Sequence, residues 1–178
     1  MSIAQTLLTE FDAEMANTRR TLERVPEDKL SWKPDPKSMS MGRLAGHVAE
    51  MPSWGMMTMT SDELDLDPEG TGKFDALVAT SREQLLAAFD KNVTGTREAI
   101  AAAADDDFMK MWSLKVHGQT MMSMPRLGVI RTLVMNHTIH HRGQLTVYYR
   151  LTGVPVPALY GPSADEGSMA VAASETAG

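Results

Sequence analysis

The chain has 178 residues and no cysteine, and its 17 basic and 23 acidic side chains leave a formal net charge of -6 at pH 7. The lack of cysteine excludes disulfides, zinc fingers, iron–sulfur clusters and a thiol nucleophile within the chain. The acidic balance and the scattered basic residues argue against a nucleic-acid partner, because phosphate binding needs clustered Lys and Arg.

Apolar residues recur at intervals of three and four in several stretches, which predicts amphipathic helices. The predicted helices are helix 1 from Ile3 to about Arg24, helix 2 from about Met41 to about Thr60, helix 3 from Phe74 or Ser81 to about Ala104, and helix 4 from Pro125 to about Leu151. Alternation over Met111–Val116, followed by a turn-like His117–Thr120, is compatible with a short hairpin between helices 3 and 4. Four such helices imply an all-α fold, a four-helix bundle.

One domain over residues 1–163 is the simplest organisation for this length, followed by a low-information tail over residues 164–178. Asp105–Asp107 should end helix 3 poorly, since carboxylates at a helix C-terminus oppose the helix dipole. No signal-peptide pattern and no long apolar stretch occurs, so we expect a cytoplasmic protein with no membrane partner.

Helix 2 contains three residues that weaken helices. Gly42 and Gly46 lower its intrinsic propensity, and Pro52 should kink it because proline lacks a backbone N–H. Ser40 is a suitable N-cap for this helix.

Three of the five histidines fall within five positions, His137 to His141, inside predicted helix 4. Residues four apart lie on one helix face, so His137 and His141 can direct their imidazoles at one point, whereas His140 points elsewhere. His47 lies on the apolar, inward face of helix 2. Buried imidazoles need polar partners, and a pair of hydrogen-bonded core histidines is the alternative interpretation.

Three imidazoles from two helices would supply the usual protein share of a catalytic metal site, with a fourth position open. Imidazole ligands suit Zn, Ni, Cu or Fe better than Mg or Ca. The Glu-x-x-His pattern of di-iron bundles is absent, and Thr138 stands where a zinc protease of the HExxH kind needs Glu. We interpret His140 as a helix-surface residue and leave His117, in the predicted turn, without a role.

Four short stretches occur together: Trp32–Pro34, Pro36–Ser40, Leu44–His47 and Asn136–Gln144. With them the chain resembles the DinB/YfiT-like superfamily of metal-dependent enzymes, from helix 1 to Tyr160-Gly161-Pro162-Ser163. The resemblance implies a four-helix bundle, often a homodimer, with nickel or zinc on His47, His137 and His141, the same three residues that spacing selects. It also implies S-transferases or isomerases that use low-molecular-weight thiols such as bacillithiol or mycothiol.

We therefore expect a metal-dependent enzyme with a small-molecule substrate, either a thiol-dependent S-transferase or isomerase, or a hydrolase that activates bound water. A sulfur nucleophile has to arrive as a cosubstrate, because the chain has no cysteine. Positions in or beside the helix seam select four candidates for orienting roles, Glu50, Arg142, Gln144 and Tyr148. The rival class is a non-catalytic, stress-associated protein whose metal site only stabilises the fold.

Overall fold

The computed structural model describes residues 2–72 and 76–167. Its helices are α1 (Ile3–Leu22), α2 (Met41–Thr60), α3 (Arg82–Ala102), α4 (Asp105–Met109), α5 (Arg126–Val129) and α6 (His137–Thr152), with a 3-10 turn at Glu27–Lys29 and a π-helical stretch at Ile130–Asn136. Its strands are β1 (Glu63–Asp65), β2 (Met111–Val116) and β3 (Gln119–Pro125). Within the described ranges, no helix has the length and hydropathy needed to cross a lipid bilayer.

The expected all-α class is wrong, because the chain also forms a three-stranded mixed sheet of order β1-β2-β3. The hairpin between helices 3 and 4 is present as the antiparallel pair β2 and β3. The sequence did not reveal β1, which pairs in parallel with β2 from Glu63 opposite Ser113 to Asp65 opposite Lys115. A strand of three residues has no measurable periodicity, and its partner is distant in sequence.

One hydrophobic core joins the long helices. Helix α2 packs against α3 and α6, and α1 packs against α3 and α6. The largest fully buried apolar side chains come from the long helices, from the short helix α4 and from β2: Phe11, Leu22, Met41, Leu44, Met51, Leu85, Phe89, Ile100, Phe108, Trp112 and Tyr149. This packing brings the middle of α2 against the beginning of α6, where the predicted metal ligands lie.

The helix beginnings follow local capping chemistry. Ser40 caps α2 by accepting from the Arg43 amide at 3.2 Å, as expected. Ser81 caps α3 in the same way, whereas the alternative start at Phe74 lies outside the described residues.

The three aspartates after helix 3 do not oppose its dipole. Helix α3 ends at Ala102, and Asp105–Asp107 form the first turn of the separate helix α4, where carboxylates are favourable. The Asp107 carboxylate accepts from the Ala104 amide at 3.0 Å.

The glycines of α2 permit a close backbone crossing. The Ala79 amide donates to the Gly42 carbonyl at 3.1 Å, and a Cβ at Gly46 would overlap the carbonyl of Leu77. Residues 77–79 therefore lie directly against the helix, in a groove that larger side chains would fill. We call this segment the strap.

A side chain of a neighbouring helix contacts the backbone ladder of α2 one turn after Pro52. The Thr96 hydroxyl of α3 donates to the Pro52 carbonyl and accepts from the Met56 amide at 2.9 Å. A side chain inserted between two backbone partners is a known cause of helix kinks, and the kink itself stays a prediction.

The segment after α6 folds back onto helices α1 and α6. Asp165 pairs with Arg150 at 2.6 Å, and Glu166 pairs with Arg24. These contacts include the first part of the predicted tail, and residues 168–178 lie outside the described residues.

Candidate metal centre

The imidazoles of His47, His137 and His141 converge at the contact between α2 and α6. The Nε2 atoms of His137 and His141 are 2.7 Å apart. The ring centroid of His47 lies 5.2 Å from that of His137 and 4.6 Å from that of His141. One nitrogen from each ring can be chosen so that all three lie within 4.8 Å of one another. All three rings are partly buried.

A π-helical stretch ends immediately before His137 and changes the register of the helix. The His137 amide donates to the Thr132 carbonyl, five residues earlier, instead of to Leu133. Such a wide turn takes up an extra residue and rotates the following helix. The buried face of α6 is consequently formed by Thr138, Arg142, Leu145, Tyr148 and Tyr149.

This rotation places His137 and His141 at the edge of the packed face. Uninterrupted periodicity in predicted helix 4 would place Leu151 on the buried face, but Leu151 is 60% exposed. The two histidines are thus anchored in the helix, yet they are not enclosed by the core.

Each ring of α6 has a partner for the nitrogen that does not face the cluster. Nδ1 of His141 lies 2.7 Å from Oε1 of Gln144, while the Gln144 Nε2 lies 3.1 Å from Nε2 of His140. The His137 ring lies near the backbone of Leu133, which acts to raise the pKa of that ring. Partners of this kind select the tautomer that leaves Nε2 as a lone-pair donor.

On α2, a carboxylate and a guanidinium lie behind His47. The Glu50 Oε2 is 3.7 Å from Nδ1 of His47 and accepts from Nη1 of Arg43 at 3.0 Å. The other carboxylate oxygen accepts from the Leu77 amide, and Arg43 Nη1 also donates to the Leu77 carbonyl at 3.3 Å. Glu50 and Arg43 therefore connect the strap to His47.

The local electrostatics favours neutral imidazoles and an ionised carboxylate. Burial, together with the nearby His47 and His137, lowers the pKa of His141 to about 4 against an opposing hydrogen bond to Gln144. Burial also lowers the pKa of His137. Burial acts to raise the pKa of Glu50, but the nearby His47 imidazole and hydrogen bonds from the Leu77 amide and Arg43 hold that pKa below its ordinary value.

The donor set fits a borderline divalent metal. Metal ligation requires lone pairs on neutral imidazoles, which burial favours here. Among the described residues, the cluster contains three histidines and no carboxylate. Three nitrogen ligands with a further position left over are typical of catalytic zinc and nickel sites and differ from closed structural sites.

Two of the four predicted orienting residues contact these histidines, Glu50 and Gln144. Arg142 instead packs against α1, where it binds Glu14 and Thr18. Tyr148 donates from its hydroxyl to the Met39 carbonyl at 3.2 Å and packs edge-on against Trp32.

Sequence reasoning missed Arg43 and the Leu133 backbone. Arg43 shares a helix face with His47 and Glu50 at intervals of four and three, so its spacing could have revealed it. The role of Leu133 depends on the π-helical turn, for which we found no sequence signal. His117 lies in the β2–β3 turn with a positive φ of 52°, and its amide donates to Asp65.

The helices, the small sheet and the three-histidine cluster define a mainly helical protein with a candidate metal centre. The DinB family model matches residues 1–175, and the chain belongs to the DinB family. This confirms the family resemblance drawn from the sequence. Over 157 residues the chain is 26% identical to the uncharacterized protein YrdA of Bacillus subtilis (strain 168). The alignment covers 88% of this chain and 86% of that protein.

Two solved structures of DinB-like proteins are similar to this fold. The protein from Bacillus cereus ATCC 10987 aligns with a TM-score of 0.65 at 27% identity, over 88% of this chain and 97% of that one. The YjoA protein from Bacillus subtilis aligns with a TM-score of 0.63 at 18% identity, over 85% of this chain and 95% of that one. The second likeness supports the fold alone.

Proposed function

We propose that this protein is a metal-dependent enzyme that holds one divalent ion, nickel or zinc, on His47, His137 and His141. The observation that carries the proposal is the convergence of three imidazoles from two helices without a fourth ligand among the described His, Asp and Glu residues. A closed, four-ligand site would instead favour a structural metal. When bound, such an ion supplies Lewis acidity and lowers the pKa of a thiol or water at its open position.

The protein's own residues hold the ligands in place. Gln144 keeps the proton of His141 on Nδ1, and the His137 ring lies near the Leu133 backbone. Glu50 lies behind Nδ1 of His47, which leaves Nε2 of that ring for the cluster. Rings oriented in this way need little rearrangement on metal binding, which raises affinity.

For the reaction, we propose transfer or isomerisation with a low-molecular-weight thiol as cosubstrate. Membership of the DinB family and the absence of cysteine support this choice, because the sulfur nucleophile has to come from outside the chain. Hydrolysis by a bound water is the second outcome that the same site allows.

Metal content is the first test. Tag-free protein should retain about one zinc or nickel ion per chain by elemental analysis after dialysis. His47→Ala, His137→Ala and His141→Ala should each abolish this stoichiometric binding. His117→Asn is the matched control, because it changes a histidine in the hairpin turn to a residue that tolerates positive φ. Wild-type protein without bound metal would refute the proposal.

An exchangeable position is the second test. Protein reconstituted with cobalt should develop a thiolate-to-metal charge-transfer band when a small thiol such as cysteine methyl ester is added. A methyl thioether of the same compound should produce no such band. If the cobalt spectrum responds to neither thiol nor azide, the site is closed and the non-catalytic class of metal-binding protein is correct.

The assembly that we propose is a homodimer, on the basis of the family resemblance alone. Light scattering coupled to size-exclusion chromatography should give twice the mass of the 19.5 kDa chain. A mass of one chain across the accessible concentration range would exclude it.

A further inference from the structure

A cleft of about 1120 Å³ opens beside His47, between α2 and the chain around β1. Its size is that of a small-molecule site. Its wall is mainly apolar, formed by Met51, Trp54, Met57, Leu64 and Leu66. His47 and Glu50 line the cleft, so a ligand in the cleft lies next to one of the three candidate metal ligands and the carboxylate behind it.

The two carboxylates that line the cleft are already hydrogen-bonded. Glu50 binds Arg43 and the Leu77 amide. Asp65 accepts from three backbone amides, those of Asp67, His117 and Gly118, at 3.0, 3.0 and 2.7 Å. Neither carboxylate is therefore a free group for a ligand's donor.

Arg43 is different, because part of its guanidinium is unused. Both of its hydrogen bonds, to Glu50 and to the Leu77 carbonyl, come from Nη1. Among the described residues, no partner contacts Nη2 or Nε. The side chain is 25% exposed and lines the cleft. The planar fork of a guanidinium is well suited to a carboxylate or another oxyanion.

We propose that the cleft binds an apolar small molecule that carries a carboxylate, and that Nη2 and Nε of Arg43 bind this carboxylate. This inference rests on the metal site proposed above. The apolar wall receives the rest of the molecule. The Arg43 guanidinium and a divalent ion held by the three histidines would together carry more positive charge than Glu50 and Asp65 carry negative charge. This balance favours an anion in the cleft.

The probes are octanoate and 1-octanol, which share an alkyl chain and differ in the charged group. Zinc-loaded protein with 13C-labelled methionine methyl groups reports where they bind by NMR. Octanoate should shift the Met51 and Met57 signals at lower concentration than octanol does. The exposed Met109 and Met121 serve as reporters of non-specific binding.

Arg43→Gln should weaken octanoate binding about 10-fold or more, the usual effect of losing a charged hydrogen bond, and change octanol binding less than about twofold. Arg43→Lys keeps the charge and the pairing with Glu50, and it should lose part of the octanoate affinity. Arg97→Gln, which removes an exposed pair with Asp12, should change neither.

The proposal is overturned if wild-type protein binds both probes equally, if Arg43→Gln weakens both equally, or if the main shifts occur at Met109 and Met121. Zinc content measured on the same samples tests the metal site separately. Protein without zinc would refute the proposed function, and repeating both titrations on that metal-free protein would still decide whether Arg43 selects the carboxylate.

Discussion

The side-chain oxygen of Gln144 lies 2.7 Å from Nδ1 of His141, one helical turn earlier in α6. Because that oxygen can only accept, the ring proton belongs on Nδ1 and the lone pair on Nε2. The Gln144 Nε2 lies 3.1 Å from Nε2 of His140, and it donates there when that ring nitrogen carries the lone pair. His140 thus helps to hold Gln144, which in turn orients His141.

The first prediction concerns this outer partner. Gln144→Ala should weaken zinc binding about 10-fold, since loss of a partner behind a ligating histidine commonly has this effect. Competition titrations with a chromophoric chelator measure the affinity. Thr146→Ala is the control, because the one hydrogen bond of the Thr146 hydroxyl among the described residues goes to the Gly143 carbonyl on the same helix. Equal affinities for wild type and Gln144→Ala would mean that the amide does not orient His141.

The second prediction concerns pH and the metal-free protein. The pKa of His141 is lowered from 6.5 to about 4 in the folded state, so below about pH 6.5 the unfolded chain binds this proton more readily. Stability is therefore fully present above pH 6.5 and is lost as the pH falls toward 4. Because the ring is partly exposed, we expect protonation of His141 to lower the unfolding free energy by only on the order of 2 kcal/mol.

Urea unfolding in EDTA at several pH values measures this effect. Carboxylates also titrate in the lower part of the range, so the decisive quantity is the difference between wild type and His141→Gln. The variant should show a weaker decline in stability between pH 6.5 and 4. Parallel curves for the two proteins would show that His141 titrates normally in the folded state.

Much of the site could be predicted because short sequence spacings show which residues share a helix face. Three and four residues separate neighbours on a helix face, which relates His137 to His141 and places His47 on the inward face of α2. The boundaries of α2 followed in the same way from the Ser40 cap and the apolar periodicity.

The remaining features depend on interactions that no short window of sequence contains. The π-helical turn at Ile130–Asn136 shifts the buried face, so Gln144 and Leu151 of the predicted helix 4 are exposed although Tyr148 is buried. The three-residue strand β1 forms only because β2 lies beside it. Gly42 and Gly46 looked like weak points, yet they create the groove that accepts the strap.

The third prediction compares two helical glycines. Gly46→Ala should destabilise the protein by about 2 kcal/mol, because the new methyl group would overlap the Leu77 carbonyl and displace the strap. The new methyl group of Gly143→Ala would meet no atom of the described residues within 4 Å beyond its own helix backbone, and this variant should stabilise the protein by about 0.5 to 1 kcal/mol through helix propensity. Urea midpoints compare the two directly, and a stabilising Gly46→Ala would contradict the observed packing of the strap.

The fourth prediction separates a structural from an orienting role for Arg142. Its side chain is 1% exposed, and it binds the Glu14 carboxylate at 2.7 Å, the Glu14 carbonyl at 2.9 Å and the Tyr160 hydroxyl. Removing one partner of a buried pair leaves the other uncompensated, so Arg142→Leu should cost about 3 kcal/mol of unfolding free energy.

The Glu14→Gln/Arg142→Leu double variant should regain part of the stability lost in Arg142→Leu, because it removes the stranded carboxylate as well. Zinc affinity of the folded protein should change less than about twofold in either variant, since the described contacts of Arg142 go to α1 and Tyr160 rather than to the histidines. Urea unfolding and chelator competition on the same samples separate the two effects. Unchanged stability with a large loss of zinc affinity would instead assign Arg142 to the orientation of His141, its neighbour in sequence.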